Sequence, residues 1–231
     1  MHPNLLFEAC VDTVEAAAAA QAAGAGRVEV CDFRAPGGVT PSPDLVRACR
    51  ERLAIPVCAL VRPTSGGFVH DRAAARATLA DLAAMRVAGA HAVVVGALTA
   101  GGAVDEPFMR AALAEAEALP VVFHRAFDRA SDRVAALESL AALGIGRVLT
   151  SGGAPTAGEG VAELRRLVER SAGRVTILAG GGVTPETVPT IIRDAGVREV
   201  HASSPPDGGK ARAIVAAIRS ALPPDVHSPL R

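Results

Sequence analysis

The sequence predicts an α/β protein, a single-domain (β/α)8 TIM barrel. Three observations predict it. Eight short apolar runs punctuate the 231 residues. Each is followed by a turn and an Ala/Leu/Arg-rich segment of helical composition, giving β-then-α units of roughly 25–30 residues. The runs are rich in Val and Leu without polar alternation, as strands buried on both faces require. An open doubly wound sheet would carry the same alternation of elements. The count of eight, and the lack of a G-x-G-x-x-G after the first run, favour the barrel.

In chain order the runs are LLFEAC (5–10), RVEVC (27–31), VCALVR (57–62), AVVVGA (92–97), VVFHRA (121–126), RVLTS (147–151), VTILAGGG (175–182) and EVHASS (199–204). Helix starts are signalled by Thr40 or Ser42 beside prolines, by Ser131 before DRVAALESLAAL, and by Thr184-Pro185 before ETVPTIIRDA. Helix ends are signalled by Gly24 or Gly26, Gly89, Gly144 or Gly146, Gly173 and Gly196, each just ahead of a run. No linker interrupts residues 1–222, and a Pro-rich tail follows from Pro223 to Arg231.

Composition narrows the function. Lys plus Arg and Asp plus Glu each number 24, with no basic run, which argues against nucleic acid and anionic membrane surfaces as partners. There is no Trp or Tyr, so no aromatic platform exists for stacking bases or sugars. No apolar run approaches the ~18 residues of a membrane span, and no leader pattern opens the chain. Cys10, Cys31, Cys49 and Cys58 form no C-x-x-C pair and read as reduced thiols of a soluble, cytoplasmic protein.

In a barrel, polar residues at the C-terminal ends of the strands line the site. Strand 1 offers Glu8 and Cys10, strand 2 Glu29 and Cys31, strand 3 Arg62. Strand 5 offers His124, Arg125 and Asp128, and strand 8 His201, Ser203 and Ser204. The Glu-x-Cys pattern occurs twice, 21 residues apart. With matched registers, Cys10 and Cys31 approach each other and the two Glu lie one layer deeper. Two thiolates there suit a soft ion such as Cu(I), while buried Cys is also a common core filler. Cys49 and Cys58 read as core.

The exits of strands 6 and 7, with Ser151, Gly152 and Gly153 and then Gly181 and Gly182, suggest an anion site completed by Ser203. A helix opening near Thr184 would add its dipole. Tight-turn chemistry explains the same glycines. Glu8, Glu29, Arg62, His124, Arg125, Asp128 and His201 are too many charges to bury without partners. They form either an internal ion-pair cluster or a functional cavity in which His124 exchanges protons beside a carboxylate. A Schiff-base aldolase lacks its strand lysine, because Lys210, the one lysine, falls beyond strand 8. A zinc hydrolase lacks H-x-H and H-E-x-x-H. His2, His70, His91 and His227 read as solvated.

FEACVDTVEAA, GAGRVEVC, GGVTPS, VRP, VVVGALT, FHRAFD, ALESLAALGIGRVLTSGG, ILAGGGVT and EVHASS run in order over residues 6–204. Together they resemble the CutC family, proteins named for copper homeostasis. The resemblance implies a (β/α)8 barrel, a cytoplasmic location, a homodimer or larger homo-oligomer, and Cu(I) ligands at Cys10 and Cys31. It departs in the loop after strand 3, where Thr64, Gly67 and His70 stand at positions the family often fills with Arg, Asp and Tyr.

Two functions follow as expectations. One is copper homeostasis, with Cu(I) held by Cys10 and Cys31. The other is an enzyme doing acid–base chemistry on a small anionic or phosphorylated metabolite. A pure scaffold is a third reading, but it has no need of a polar barrel mouth.

Overall fold

In the computed structural model, which describes residues 5–33 and 37–221, each of the eight runs forms one parallel strand. These are β1 (Leu6–Val11), β2 (Arg27–Val30), β3 (Val57–Leu60), β4 (Ala92–Val95), β5 (Val121–Phe123), β6 (Arg147–Thr150), β7 (Thr176–Gly180) and β8 (Glu199–Ser203). They pair in sequence order, and β8 returns to β1 to close the barrel. One helix follows each strand: α1 (Val14–Ala23), α2 (Pro43–Arg52), α3 (Arg72–Val87), α4 (Glu106–Ala116), α5 (Arg133–Ala142), α6 (Val161–Ser171), α7 (Val188–Ala195) and α8 (Gly209–Ala221). The Pro-rich tail, His2 and His227 lie outside the described residues.

Most helix boundaries fall where local chemistry places them. Ser42 caps α2 by accepting from the Leu45 N–H at 3.2 Å, with Pro43 at the first helical position. Gly24 and Gly196 end α1 and α7 in the left-handed conformation. Two starts differ from expectation. Asp132, not Ser131, caps α5, accepting from Val134 and Ala135; its carboxylate is one residue nearer the N–H groups it satisfies. The segment opening at Thr184 first makes a turn, in which Thr187 N–H donates to Thr184 O at 3.1 Å. α7 then starts at Val188, so its dipole begins a turn later than the sequence suggests.

Strand alternation divides the interior in two. Ala9, Val11, Val28, Val30, Val93, Val95, Val148 and Val200 face outward into the core beneath the helices. That core takes up Leu82, Leu137, Leu140, Leu164, Leu167 and Ile191 with no exposure, each contributing about 1.5–3 kcal/mol. The inward face is half apolar, with Cys10, Cys31, Cys58, Leu60, Ala92, Val94 and Val122 in one cluster. Cys49 lies in the outer core and Cys58 inside the barrel. Among the described residues no helix is long and apolar enough to cross a membrane.

Two bare backbone positions open the upper end of the barrel. A Cβ at Gly180 would meet Leu149 at 2.5 Å and His201 at 3.1 Å, and one at Gly96 would meet the His124 ring at 2.8 Å. Glycine at both lets these side chains fold over the strand ends and shape a cavity of about 1130 Å³.

Candidate functional site

The lower barrel is threaded by an ion chain. Arg27 donates to Glu8 through Nε and to Glu199 through Nη2, the latter at 2.7 Å. Arg147 grips Glu199 with two hydrogen bonds, at 2.7 and 2.8 Å. Glu8 Oε1 lies 2.8 Å from Nδ1 of His201. Burial by itself would raise the Glu8 carboxyl, but Arg27 and His201 outweigh it and hold the group well below the usual carboxylate range. Glu8 is therefore an ionised anchor that fixes the His201 ring, not a proton carrier. Arg27, Arg147 and Glu199 were missed in the sequence. Their signal was present: Arg27 shares the inward face with Glu29, and Glu199 with His201.

At the top of this chain lies the floor of the cavity. Ligand atoms of Cys10, Glu29 and His201 all fall within 4.8 Å of one another. Glu29 is buried, its Oε2 has no hydrogen-bond partner among the described residues, and that oxygen is 4.0 Å from His201 Nδ1. Burial pushes the Glu29 carboxyl up to about 7, with neighbouring Glu8 adding to it and His201 opposing. His201 goes up as well: burial would lower it, but hydrogen bonds to Cys10 and Glu8 and the charge of Glu29 outweigh that.

The two thiols meet, but not through matched registers. β1 pairs with β2 so that Glu8 faces Arg27 and Cys10 faces Glu29, which offsets the two Glu-x-Cys patterns by two residues. Strand tilt compensates, and Cys10 Sγ lies 3.1 Å from Cys31 Sγ. Glu29 consequently stands level with Cys10 at the mouth, and only Glu8 is a layer deeper. The hydrogen bond to Cys31 and burial raise the Cys10 thiol well above its ordinary value. Cys10 lines the cavity, whereas Cys31 is enclosed behind it.

On the opposite wall, His124 has no carboxylate partner among the described residues. Its Nδ1 accepts from the Ala126 N–H at 3.2 Å, which leaves the ring proton on Nε2. Burial and the nearby Arg62 charge push it down to about 3, so it is neutral at ordinary pH. Arg62 donates to the carbonyls of Gly38 and Gly66 at 3.1 and 3.0 Å, pinning the loops after β2 and β3. Its guanidinium lies 5.3 Å from the Phe68 ring centroid. Gly67, in the loop that departs from the family pattern, lines the cavity. His70 instead packs edge-on against Phe108 at 4.8 Å, and His91, though exposed, accepts the Val57 N–H at 2.9 Å.

After β6 the backbone N–H groups of Ser151 and Gly153 point into a cradle that the chain's own Asp128 occupies. Asp128 follows β5 in a short 3-10 turn (Arg125–Arg129). Its carboxylate accepts from Thr150 Oγ1 at 2.5 Å, Ser151 N at 3.0 Å, Ser151 Oγ at 3.1 Å, Gly153 N at 3.1 Å and Arg125 Nε at 2.7 Å. Gly152 N–H turns back to Thr150 Oγ1. Gly181 abuts the Arg125 guanidinium and Gly182 abuts Thr156. Ser203 Oγ accepts from Lys210 Nζ at 3.2 Å, and that lysine lines the cavity. Lys210 is thus a site residue that the barrel-wide reading of the sequence passed over.

The comparisons with known proteins agree along most of the chain. Residues 5–205 match the model of the CutC family. The human copper homeostasis protein cutC homolog is 39% identical over 201 residues, covering 87% of this chain and 74% of its own. A family protein CutC of Caulobacter vibrioides (strain NA1000 / CB15N) is 41% identical over 226 residues, 97% of this chain and 91% of its own. The crystal structure of a CutC from Streptococcus agalactiae superposes with a TM-score of 0.81 at 32% identity, covering 85% of this chain and 97% of that one. A thiamine phosphate pyrophosphorylase from Pyrococcus furiosus, at 13% identity and TM-score 0.66, shares the fold alone. This chain belongs to the CutC family.

Proposed function

We propose that this protein serves copper homeostasis by binding Cu(I) at the C-terminal mouth of its barrel, through Cys10 and Cys31. The observation that carries the reading is the 3.1 Å approach of the two buried thiols. The imidazole of His201 and the unpartnered Glu29 oxygen lie beside Cys10. Two sulfurs and an imidazole are soft and borderline donors, the set that favours Cu(I) over hard cations. The names of the human and streptococcal relatives point the same way. Four unpaired thiols suit a reducing, cytoplasmic setting. The test is Cu(I) titration of the wild type against a Cys10→Ser/Cys31→Ser double variant. Loss of the tight site in the variant is expected, and equal stoichiometry and affinity would remove the idea. The homo-oligomer that the family resemblance implies is checked by light scattering.

A second reading is favoured by one observation: a cavity of about 1130 Å³ is far larger than an ion needs. Its floor holds the Glu29–His201 pair, and Arg62, Arg125 and Lys210 line it. This arrangement suits acid–base chemistry on a small anionic metabolite. A thermal-shift screen with sugar phosphates and small carboxylates tests it. Stabilisation that Arg62→Ala abolishes is expected, and an unchanged melting temperature with every anion counts against it.

A further inference from the structure

We propose that the β5 wall of the mouth is a binding site for a small planar oxyanion, a carboxylate or 2-oxo acid. The Nε2–H of His124 is its hydrogen-bond donor and Arg62 the neighbouring cation. The proposal deepens the anionic-metabolite reading and rests on it.

The donor is fixed by a group that has no alternative. A backbone N–H only donates, so the Ala126 N–H at 3.2 Å holds Nδ1 as an acceptor and places the proton on Nε2. The ring is clamped as well. Phe68 packs on it with centroids 5.1 Å apart, Phe123 meets it edge-on at 6.0 Å, and the bare backbone of Gly96 closes the Nδ1 side. The residue is 5% exposed and lines the cavity. No protein acceptor among the described residues takes the Nε2 proton. The ring lines the cavity, so a ligand oxygen arriving there can take the Nε2 proton directly.

The surroundings select the ligand. Phe68 packs against both His124 and Arg62, and the Arg62 charge is felt at His124, which favours an anionic oxygen there. The low basicity of His124 suits a donor that keeps its proton beside that charge. The cradle after β6, which would suit a phosphate, is filled by Asp128, leaving this wall for a smaller, flat group. Across the cavity stand Cys10, Glu29 and His201. A ligand oxygen on His124 therefore presents its remaining carbons to the one wall that can exchange protons. A neutral imidazole is also the kind of donor that polarises a carbonyl toward an enolate.

The experiment uses the full chain with 15N-labelled histidine, long-range 1H–15N spectra, and calorimetry with oxalate, pyruvate and inorganic phosphate. His124 is expected to show the neutral Nε2–H pattern from pH 5 to 8, and oxalate or pyruvate to move that proton downfield. Affinity should fall at least about tenfold in His124→Phe and be largely kept in His124→Gln, as loss of one charge-assisted bond implies. A charged or Nδ1-protonated His124 in that range overturns the donor assignment, whatever the variants do. Equal carboxylate affinity in wild type and His124→Phe overturns it too, while the anionic-metabolite reading survives. Binding of phosphate but neither carboxylate overturns the proposed ligand class alone. If none of the three binds, the proposal and the reading beneath it both fall. The spectra of the wild type decide the tautomer even if His124→Phe does not fold.

Discussion

Glu8 and His201 stand opposite each other across the seam where β1 meets β8, and Glu8 Oε1 lies 2.8 Å from His201 Nδ1 although 193 residues separate them. The same carboxylate is held from below by Arg27. One buried charge thus bridges the closing seam of the barrel and fixes the ring that lines the cavity.

Glu8→Gln removes that charge and leaves Arg27 with Glu199 alone. Breaking a buried pair by deleting one partner costs about 3–5 kcal/mol. Urea unfolding should show a loss of that size, and a loss under 1 kcal/mol would mean that the chain is dispensable to stability.

The acid limb of stability should carry the signature of His124. Burial, with Arg62 and His70 nearby, lowers this group from 6.5 to about 3. Between those values the unfolded chain binds a proton that the native state refuses, so stability falls as pH drops from about 6.5 toward 3 and is complete above 6.5. At 1.36 kcal/mol per unit, the contribution reaches at most about 5 kcal/mol. Unfolding free energies measured from pH 4 to 7 should fall less steeply toward acid in His124→Gln than in the wild type.

Asp128→Ala empties a cradle of five donors. A loss of about 3 kcal/mol or more is expected from its unpaired neighbours. Because the vacated space is an anion site, formate should restore part of the lost melting temperature in the variant and have little effect on the wild type. Equal shifts in both proteins would show that the cradle is not selective.

Cu(I) affinity should rise with pH. Cys10 is raised well above its ordinary value by its bond to Cys31 and by burial, so the ion must displace thiol protons. Each proton released adds up to about tenfold in apparent affinity per pH unit. Competition titrations at pH 6, 7 and 8 check this, and a flat profile would exclude thiolate ligation.

Gly96→Ala places a Cβ 2.8 Å from the His124 ring. Overpacking of this kind costs about 1–3 kcal/mol. It should also disturb the Nε2–H signal, which a purely structural glycine would leave alone.

Much of this is legible in the sequence itself. The eight runs mark eight strands because a strand buried on both faces must be apolar throughout. The polar residues at their exits mark the mouth because strand ends are where inward positions become reachable. The two cysteines announced themselves by repetition. Arg27, Arg147 and Glu199 did not, because they enter the barrel at strand starts, where a charged residue looks like ordinary loop punctuation. Lys210 falls beyond strand 8, and nothing in its sequence position marks it as a cavity cation.

The sequence by itself determined the barrel, the order of its elements and the set of side chains gathered at one end. Only the tertiary structure decided which of them pair. It gave Glu8 to Arg27 and His201, left Glu29 with an open oxygen, placed Asp128 in the anion cradle and made His124 a neutral donor. The physical reason is that element identity is a local property of composition and period. Pairing depends on the tilt and register of a closed sheet, and these bring together residues whose separation along the chain carries no trace of their contact.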